Sequence, residues 1–117
     1  MIRQGDLFWV DLGQPSGSGP GLLHPCVVVQ NDVFNASEIK TTVVCTLTSN
    51  LRRADAPGNV RLDEGEAGLP RASVVNISQI FTVDKVELTE KIGSLSELRT
   101  SEVIRGVQRL TERRAVD

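Results

Sequence analysis

The segment His24-Pro25-Cys26-Val27-Val28-Val29-Gln30-Asn31-Asp32 decides the fold predicted for this chain. Its four apolar residues run without a break and three of them are valines, which is typical of a strand buried on both faces. Pro25 suits the first position of such a strand, where its missing N–H disturbs the ladder least. His24, the only histidine, therefore stands where a buried strand meets a loop, and sites are often built at such strand ends.

Length and composition predict one soluble domain over residues 1–117. The chain is 39% hydrophobic and 24% charged, as is usual for globular proteins. Its net charge of −2 argues against broad charge-driven binding of nucleic acid but is compatible with a local basic patch. Cys26 and Cys45 lie in valine-rich runs without zinc-binding spacing, so buried free thiols are expected. The sequence shows neither a signal peptide nor a membrane-spanning run, which predicts a cytoplasmic protein.

The remaining sequence predicts a small, mostly antiparallel, barrel-like sheet closed by one C-terminal helix. Residues 13–23 are rich in glycine, proline and serine and are expected to form a long loop, either functional or idle. Ser96 fits a helix N-cap, and an apolar stripe of Val103, Ile104, Val107 and Leu110 follows it. Gly106 costs this helix about 1 kcal/mol relative to Ala, which close packing would explain. The other predicted elements are strands at 5–12, 41–47, 59–62, 73–77, 79–83 and 91–95 and a short helical turn at 51–56.

Several kinds of catalytic site are excluded by the residues themselves. The chain has no Gly-Lys-Ser/Thr phosphate loop, no His/Cys/Asp metal cluster and no Gly-x-Ser-x-Gly turn. A single histidine also excludes a paired-histidine nuclease. What remains is polar residues at strand ends: Ser18 in the loop, His24, and the run Thr48-Ser49-Asn50. If the second and third strands pair antiparallel, the start of one lies beside the end of the other, so that His24 and Thr48 converge.

A set of ordered blocks in this sequence resembles the MazF/PemK family, the toxins of type II toxin–antitoxin modules. The resemblance runs from Arg3 to about Leu110. It implies an SH3-like barrel, a homodimer, and sequence-selective, metal-independent cleavage of single-stranded RNA. It also implies an antitoxin whose disordered tail covers the RNA groove and folds on binding. The blocks are Gly5–Leu12, Gly17-Ser18, His24–Asp32, Asn35, Thr48-Ser49-Asn50, Pro57–Val60 and Ser73–Asn76.

The resemblance also implies a catalytic pair. In this family the loop Gly-Ser-x-x-x-x-x-Arg-Pro places a catalytic arginine before the proline, and here His24 occupies that position. The second catalytic residue, a threonine ending the third strand, matches Thr48. Family enzymes let the 2′-hydroxyl of the RNA attack the adjacent phosphate, which leaves a cyclic phosphate and a free 5′-hydroxyl. That reaction needs a proton acceptor, a proton donor and hydrogen-bond donors for the developing negative charge.

Three interpretations of His24 stay open at this level. It is a working acid or base, or it marks a weakened or inactive toxin, or it is structural while another basic side chain serves the phosphate. Arginine offers a permanent two-pronged phosphate contact that histidine does not reproduce. Histidine can instead move protons, because an unperturbed imidazole titrates near neutrality. We favour the acid/base interpretation because the residue stands at the motif's catalytic position.

The candidate RNA-binding residues follow from the same blocks. Arg52 and Arg53, which follow the Thr48-Ser49-Asn50 turn, are the best candidates for positioning phosphate, with surface solubility as the equal alternative. Gln30, Asn31 and Asn76 are candidates for reading base edges or for capping strand ends, and Trp9 is expected in the core or an interface. The full predicted set is His24 and Thr48 for catalysis and Gly17, Ser18, Gln30, Asn31, Ser49, Asn50, Arg52, Arg53 and Asn76 for RNA binding.

The sequence therefore predicts a cytoplasmic, dimeric endoribonuclease toxin with no metal or other cofactor. Its partners are single-stranded RNA and a MazE-like antitoxin. The alternative function is a non-enzymatic module, either a silent relative that only binds antitoxin or a gyrase inhibitor of the CcdB type. The departure at His24 favours the silent option, whereas the quoted blocks resemble MazF much more closely than CcdB.

Overall fold

The chain folds into one curled, fully antiparallel six-stranded sheet with a helix after its last strand, in a computed structural model that describes residues 1–13, 17 and 22–116. The strand order is β4-β5-β3-β2-β1-β6, so the segment around Cys26 lies near the centre of the sheet. This confirms the predicted antiparallel sheet with a C-terminal helix. The strands are β1 Asp6–Asp11, β2 Leu23–Val28, β3 Thr41–Thr48, β4 Val60–Leu62, β5 Ser73–Asp84 and β6 Glu90–Ser94.

β2 is buried on both faces, as its unbroken apolar run predicts. Cys26 and Val28 pack into one buried cluster with residues such as Phe8 and Val44. Val27 and Val29 point to the other face and pack with residues that include Val103 of the C-terminal helix. Because side chains alternate along a strand, a run without polar residues is the pattern that fills two cores at once.

The two predicted strands at 73–77 and 79–83 are one strand, which corrects the sequence-based division. β5 pairs with β3 along its whole length, and the register shifts between Cys45 and Thr46, which face Ile80 and Asn76. The extra residues on β5 form a bulge, and a bulge bends a strand without ending it. The exposed Ser78 that separates the two apolar runs lies in this bulge. In the sequence, a polar residue within a bulge interrupts an apolar run in the same way as a polar residue in a turn between two strands.

A short turn at Glu66–Gly68 brings the two ends of the curled sheet together. It follows the edge strand β4 and packs against the other edge strand, β6: a Cβ on Gly93 would overlap the carbonyl oxygen of Ala67. Arg99 of the helix fastens this turn, with its Nε 2.8 Å from Glu66 Oε2. The turn therefore covers sheet edges that would otherwise be open.

The C-terminal helix, α2 (Glu97–Thr111), begins at the predicted cap, where Ser96 Oγ accepts a hydrogen bond from the Arg99 N–H at 3.1 Å. Val103 and Gly106 are the buried residues of this helix. Leu110 is 46% exposed, so this end of the predicted apolar stripe is less buried than expected. A Cβ on Gly106 would overlap the carbonyl oxygen of Gly58. Close helix packing therefore explains this glycine.

A second, four-residue helix, α1 (Asp32–Asn35), occupies part of the predicted polar connection between β2 and β3. Single-turn 3-10 helices at Leu51–Asp55 and Lys85–Glu87 complete the described elements, and the first of them confirms the predicted turn at 51–56. In the described part of the chain, no helix has the length and apolar character needed to cross a membrane.

Candidate active site

The strand register brings His24 and Thr48 to the same place. Within the β2–β3 ladder Cys26 pairs with Thr46, and continuing this register by two residues sets His24 opposite Thr48. The ladder between the two strands ends at Cys26, next to Pro25, which has no N–H to donate. Both side chains are half-buried and line one cavity of about 280 Å³. The predicted convergence of these strand ends is therefore present in the fold.

We call this space the strand-end cavity and define it by its lining. Four strands and the loop before β5 contribute to it. Trp9 of β1 faces Pro25 of β2 in the ladder, and Ser73 starts β5. The described lining contains one histidine, one arginine and no carboxylate, so its formal charge is positive at every working pH. The lining residues are Trp9, His24, Pro25, Leu47, Thr48, Ser49, Leu69, Pro70, Arg71 and Ser73.

Two of these residues were missed or misplaced by sequence reasoning. Trp9 was expected in the core or an interface, but it is half-buried and forms part of the cavity wall. Arg71 was not singled out, because it lies 47 positions from His24 and in no recognised motif. Side chains alternate along β1, so Trp9 points to the opposite face of the sheet from the buried residues Phe8 and Val10. This alternation is a weak sequence signal for the position of Trp9.

The turn after β3 orients the Thr48 hydroxyl. The backbone N–H of Asn50 donates to Thr48 Oγ1 at 3.2 Å. A threonine hydroxyl has one proton and two lone pairs. Because one lone pair of Oγ1 accepts this bond, the hydroxyl proton stays available as a donor to a ligand in the cavity. Ser49, which was also predicted, adds its hydroxyl to the lining beside Thr48.

Asn50, Arg52 and Arg53 belong to the 3-10 turn next to the cavity and not to its lining. Asn50 caps this turn, its Oδ1 accepting from the Arg52 N–H at 3.2 Å. Both arginine side chains are exposed, and neither is in an ion pair with another described residue. Neither arginine contributes to the lining of the strand-end cavity.

Asn76 pairs with Thr46 at the edge of the β5 bulge and is held by two neighbouring side chains. Its Oδ1 accepts from Ser78 Oγ at 3.2 Å and from Asn59 Nδ2 at 3.5 Å. Asn59 also donates to the Arg53 carbonyl at 2.9 Å and accepts from the Ile77 N–H at 3.0 Å. One asparagine therefore ties the bulge to the turn that carries Arg52 and Arg53.

Gln30 and Asn31 follow the end of β2 that is opposite to His24, and neither lines the strand-end cavity. Six residues of extended chain from His24 amount to roughly 20 Å. Gln30 Nε2 donates to Asn35 Oδ1 at 2.9 Å and to the Thr41 carbonyl at 3.1 Å. Asn31 Oδ1 accepts from the Phe34 N–H at 3.1 Å and caps α1. Contacts of this kind fit the alternative interpretation, in which these residues cap the ends of strands.

The loop before His24 is described only in part. Ser18 lies outside the described residues, and Gly17 adopts a φ of 58°, which a glycine tolerates without strain. The base of the loop is closed by a hydrogen bond from the Leu12 N–H to the Leu22 carbonyl at 2.8 Å. Leu22 itself has a φ of 59°, which is uncommon for a non-glycine residue. Only Leu23 therefore lies between His24 and Leu22, the residue at which the loop closes.

The two cysteines stand apart from this site. Both are free and buried, as predicted, and burial raises the pKa of each thiol to about 12. Neither lines the strand-end cavity. Among residues 1–13, 17 and 22–116, no group of three or more His, Cys, Asp or Glu side chains is arranged to hold a metal ion.

Comparison with known protein families gives a match across nearly the whole chain. The family model described as the PemK-like, MazF-like toxin of type II toxin-antitoxin systems matches residues 3–111. Endoribonuclease MazF6 of Mycobacterium tuberculosis is 40% identical over 112 residues, covering 96% of this chain and 98% of the relative. Endoribonuclease EndoA of Bacillus subtilis is 33% identical over 108 residues, covering 92% of each.

Solved structures share the fold. An endoribonuclease in complex with its cognate antitoxin, from a mycobacterial species, superposes with a TM-score of 0.77 at 21% identity, covering 98% of this chain and all of that one. MazF from Deinococcus radiodurans gives a TM-score of 0.75 at 20% identity, covering 93% of this chain and 94% of that one. At these identities the likeness concerns the arrangement of strands and helix.

Proposed function

The chain belongs to the PemK-like, MazF-like family of toxins of type II toxin–antitoxin systems, and we propose that it cleaves single-stranded RNA at a short motif in the strand-end cavity. The observation that carries the assignment is the meeting of His24 and Thr48 in one cavity at the ends of paired strands. Relatives at 40% and 33% identity that bear the name endoribonuclease support the reaction class.

The proposed reaction uses the RNA's own 2′-hydroxyl as the nucleophile. His24, as neutral imidazole, accepts the 2′-hydroxyl proton while the 2′-oxygen forms a bond to the adjacent phosphorus. The bond from phosphorus to the 5′-oxygen breaks, and that oxygen takes a proton from water at the open side of the cavity. The products are a 2′,3′-cyclic phosphate and a free 5′-hydroxyl, and His24 returns its proton to solvent. No metal ion takes part.

Thr48 serves the phosphate in this scheme. Its hydroxyl proton is free to donate, since Oγ1 already accepts from the Asn50 N–H. A donor aimed at an oxygen of the phosphate becomes more valuable as negative charge builds up there, so it stabilises the transition state more than the substrate. Loss of one such donor in other enzymes costs about 10²-fold in rate.

The experiment is cleavage of a long mixed-sequence RNA in excess EDTA, across the pH range in which imidazole groups titrate. Wild type, His24→Ala, His24→Arg, Thr48→Ala and Thr48→Ser are compared, the last retaining the hydroxyl. We expect wild-type cuts at one short motif, with rates that rise with pH to a plateau. His24→Ala and Thr48→Ala should abolish or strongly reduce cutting, and Thr48→Ser should keep much of it. New ends should accept a phosphate from polynucleotide kinase without prior dephosphorylation.

The same experiment tests the second candidate function, a module that binds antitoxin but does not cleave RNA. The histidine at position 24 favours this candidate. An inert wild type with an active His24→Arg variant would assign the chain to that class. If every variant is inert, inhibition of gyrase becomes the next assay, since a CcdB-type activity would leave RNA intact. Cutting that persists in both alanine variants would place the reaction outside the strand-end cavity.

The proposal extends to partners and location. The mycobacterial structure at a TM-score of 0.77 is an endoribonuclease with its cognate antitoxin. We propose that this chain likewise binds a MazE-like antitoxin, forms a homodimer and acts in the cytoplasm as one domain over residues 1–117. Light scattering should give twice the chain mass of 12.7 kDa. A mass of one chain at assay concentration would remove the dimer from the proposal.

A further inference from the structure

The proposed reaction lacks one component in this chain. A phosphate undergoing attack gains negative charge, and the arginine that the family places before the proline is here His24. An imidazole that accepts a proton is neutral when the reaction begins, so it offers no permanent positive charge. A guanidinium is charged at every working pH and binds two phosphate oxygens at once. The site therefore needs a cation from another residue.

The strand-end cavity contains one candidate. Among the residues that the structure describes, Arg71 is the only Lys or Arg in its lining, whose other polar side chains include His24, Thr48 and Ser49. Arg52 and Arg53, the candidates from the sequence, are absent from that lining. Among the described residues Arg71 takes part in no ion pair, whereas Arg99 is engaged by Glu66 and Glu102. Its charge is therefore not neutralised by the fold.

The backbone that carries Arg71 is anchored relative to Thr48. Leu69, two residues before it, is 2% exposed, and Ser73, two residues after it, is 4% exposed. The Ser73 hydroxyl donates to the Arg71 carbonyl at 3.1 Å. The next residue, Val74, pairs directly with Thr48 across the β3–β5 ladder. Arg71 is thus exposed, but its backbone is positioned by the strand pair that also positions Thr48.

We infer that Arg71 supplies the permanent positive charge that holds the scissile phosphate in the strand-end cavity and stabilises it during attack. This inference rests on the RNA cleavage proposed above. Two residues of one lining then divide the work: His24 at the start of β2 moves the proton, and Arg71 in the loop before β5 carries the charge.

The test is chemical rescue of Arg71→Ala. Cleavage of a short oligonucleotide spanning a mapped cut site is measured for wild type, Arg71→Ala, Arg71→Lys and, as a charge-matched control away from the cavity, Arg113→Gln. We expect kcat of Arg71→Ala to fall about 10²-fold, Arg71→Lys to be intermediate because ammonium lacks the fork, and Arg113→Gln to equal wild type. Guanidinium chloride below its denaturing range should restore part of the rate, and urea at equal concentration should not.

Two further readouts separate a charge role from a structural one. The pH profile of Arg71→Ala should keep the shape of the wild-type profile, because His24 is still present. In the His24→Ala background, binding of the same oligonucleotide with deoxyribose at the cut should lose about 0.7 from its log–log salt slope when Arg71 is also removed. This measurement does not need cleavage.

The outcomes fall into two groups. A reduced rate with guanidinium rescue, or a reduced salt slope, supports the inference. Unchanged cleavage and slope in Arg71→Ala, or a loss that guanidinium does not rescue together with lowered thermal stability, overturns it and leaves the proposed function standing. An inert wild type that nevertheless shows the reduced slope removes the endoribonuclease proposal and leaves Arg71 as a phosphate contact.

Discussion

Replacing Gly106 by alanine should destabilise this protein, although the same change usually stabilises a helix. In the interior of an exposed helix, alanine is better than glycine by about 1 kcal/mol. Here the new Cβ would overlap the carbonyl oxygen of Gly58 and lie 3.2 Å from Ile77 Cγ2. One of these contacts is to backbone, so the clash is relieved only if α2 moves away from the loop.

The magnitude follows from what such a movement disturbs. Val103, one turn earlier in α2, is 1% exposed and packs into the cluster beneath the sheet. Inserting a methyl group into a closely packed contact costs typically 1–3 kcal/mol. Taking about 3 kcal/mol for a contact against backbone and subtracting the gain of about 1 kcal/mol in propensity leaves about 2 kcal/mol. For a chain of this length that lowers Tm by roughly 8 °C.

The assay is thermal and urea unfolding followed by circular dichroism, with Ser101→Ala as the matched control. Ser101 is an exposed interior position of the same helix, where alanine should raise Tm slightly. Agreement requires opposite signs for the two variants. A Gly106→Ala protein as stable as wild type would show that the α2–Gly58 approach is looser than described, and the packing argument would be wrong.

Three further outcomes are expected. The pKa of Glu66 is lowered: burial raises it, but the hydrogen bonds from Arg99 and the Asp63 N–H and the charge of Arg99 outweigh burial. The pair therefore stabilises the fold above the unfolded-state pKa of a glutamate and loses this effect as pH falls through the lower folded value, so the Tm difference between wild type and Arg99→Gln should be largest near neutrality and shrink in acid. Because burial raises the pKa of Cys26 and Cys45 to about 12, a thiol reagent at pH 8 should label them only as fast as the protein unfolds, and rapid native labelling would contradict their burial. Trp9 is the single tryptophan and lines the strand-end cavity, so its fluorescence should change when the deoxy-substituted oligonucleotide binds the His24→Ala variant, and an unchanged signal under saturating oligonucleotide would exclude contact near the indole.

The parts of the site that were predictable are those built from neighbouring residues. The placement of His24 and Thr48 followed from antiparallel pairing of two consecutive strands, because such pairing sets the start of one strand beside the end of the other. The capping roles of Ser96 and Asn50 also depend on bonds to residues two or three positions away. The resemblance to a toxin family added the reaction, which neither composition nor periodicity contains.

The surroundings of the other predicted residues depend on contacts that periodicity does not encode. Gln30 and Asn31 were candidates for reading base edges or capping, and the extended chain carries them away from the strand-end cavity. Asn59 joins the bulge to the 3-10 turn through bonds to Arg53 and Ile77, and nothing within its own neighbourhood marks that role. Asn76 borders a bulge only because β5 continues past it along β3.

Local pattern was enough for the buried central strand, the capped C-terminal helix and the free buried cysteines, since alternation and capping act over a few residues. The convergence of two strand ends needed one further assumption, that consecutive strands pair antiparallel. Tertiary structure alone decided that β5 is a single bent strand, that the Glu66–Gly68 turn closes the sheet, and that Arg71 and Trp9 line the strand-end cavity. These depend on register between distant strands and on the path of loops. A loop residue has no periodicity that indicates its neighbours, so Arg71 could be recognised only after the sheet had brought it to Thr48.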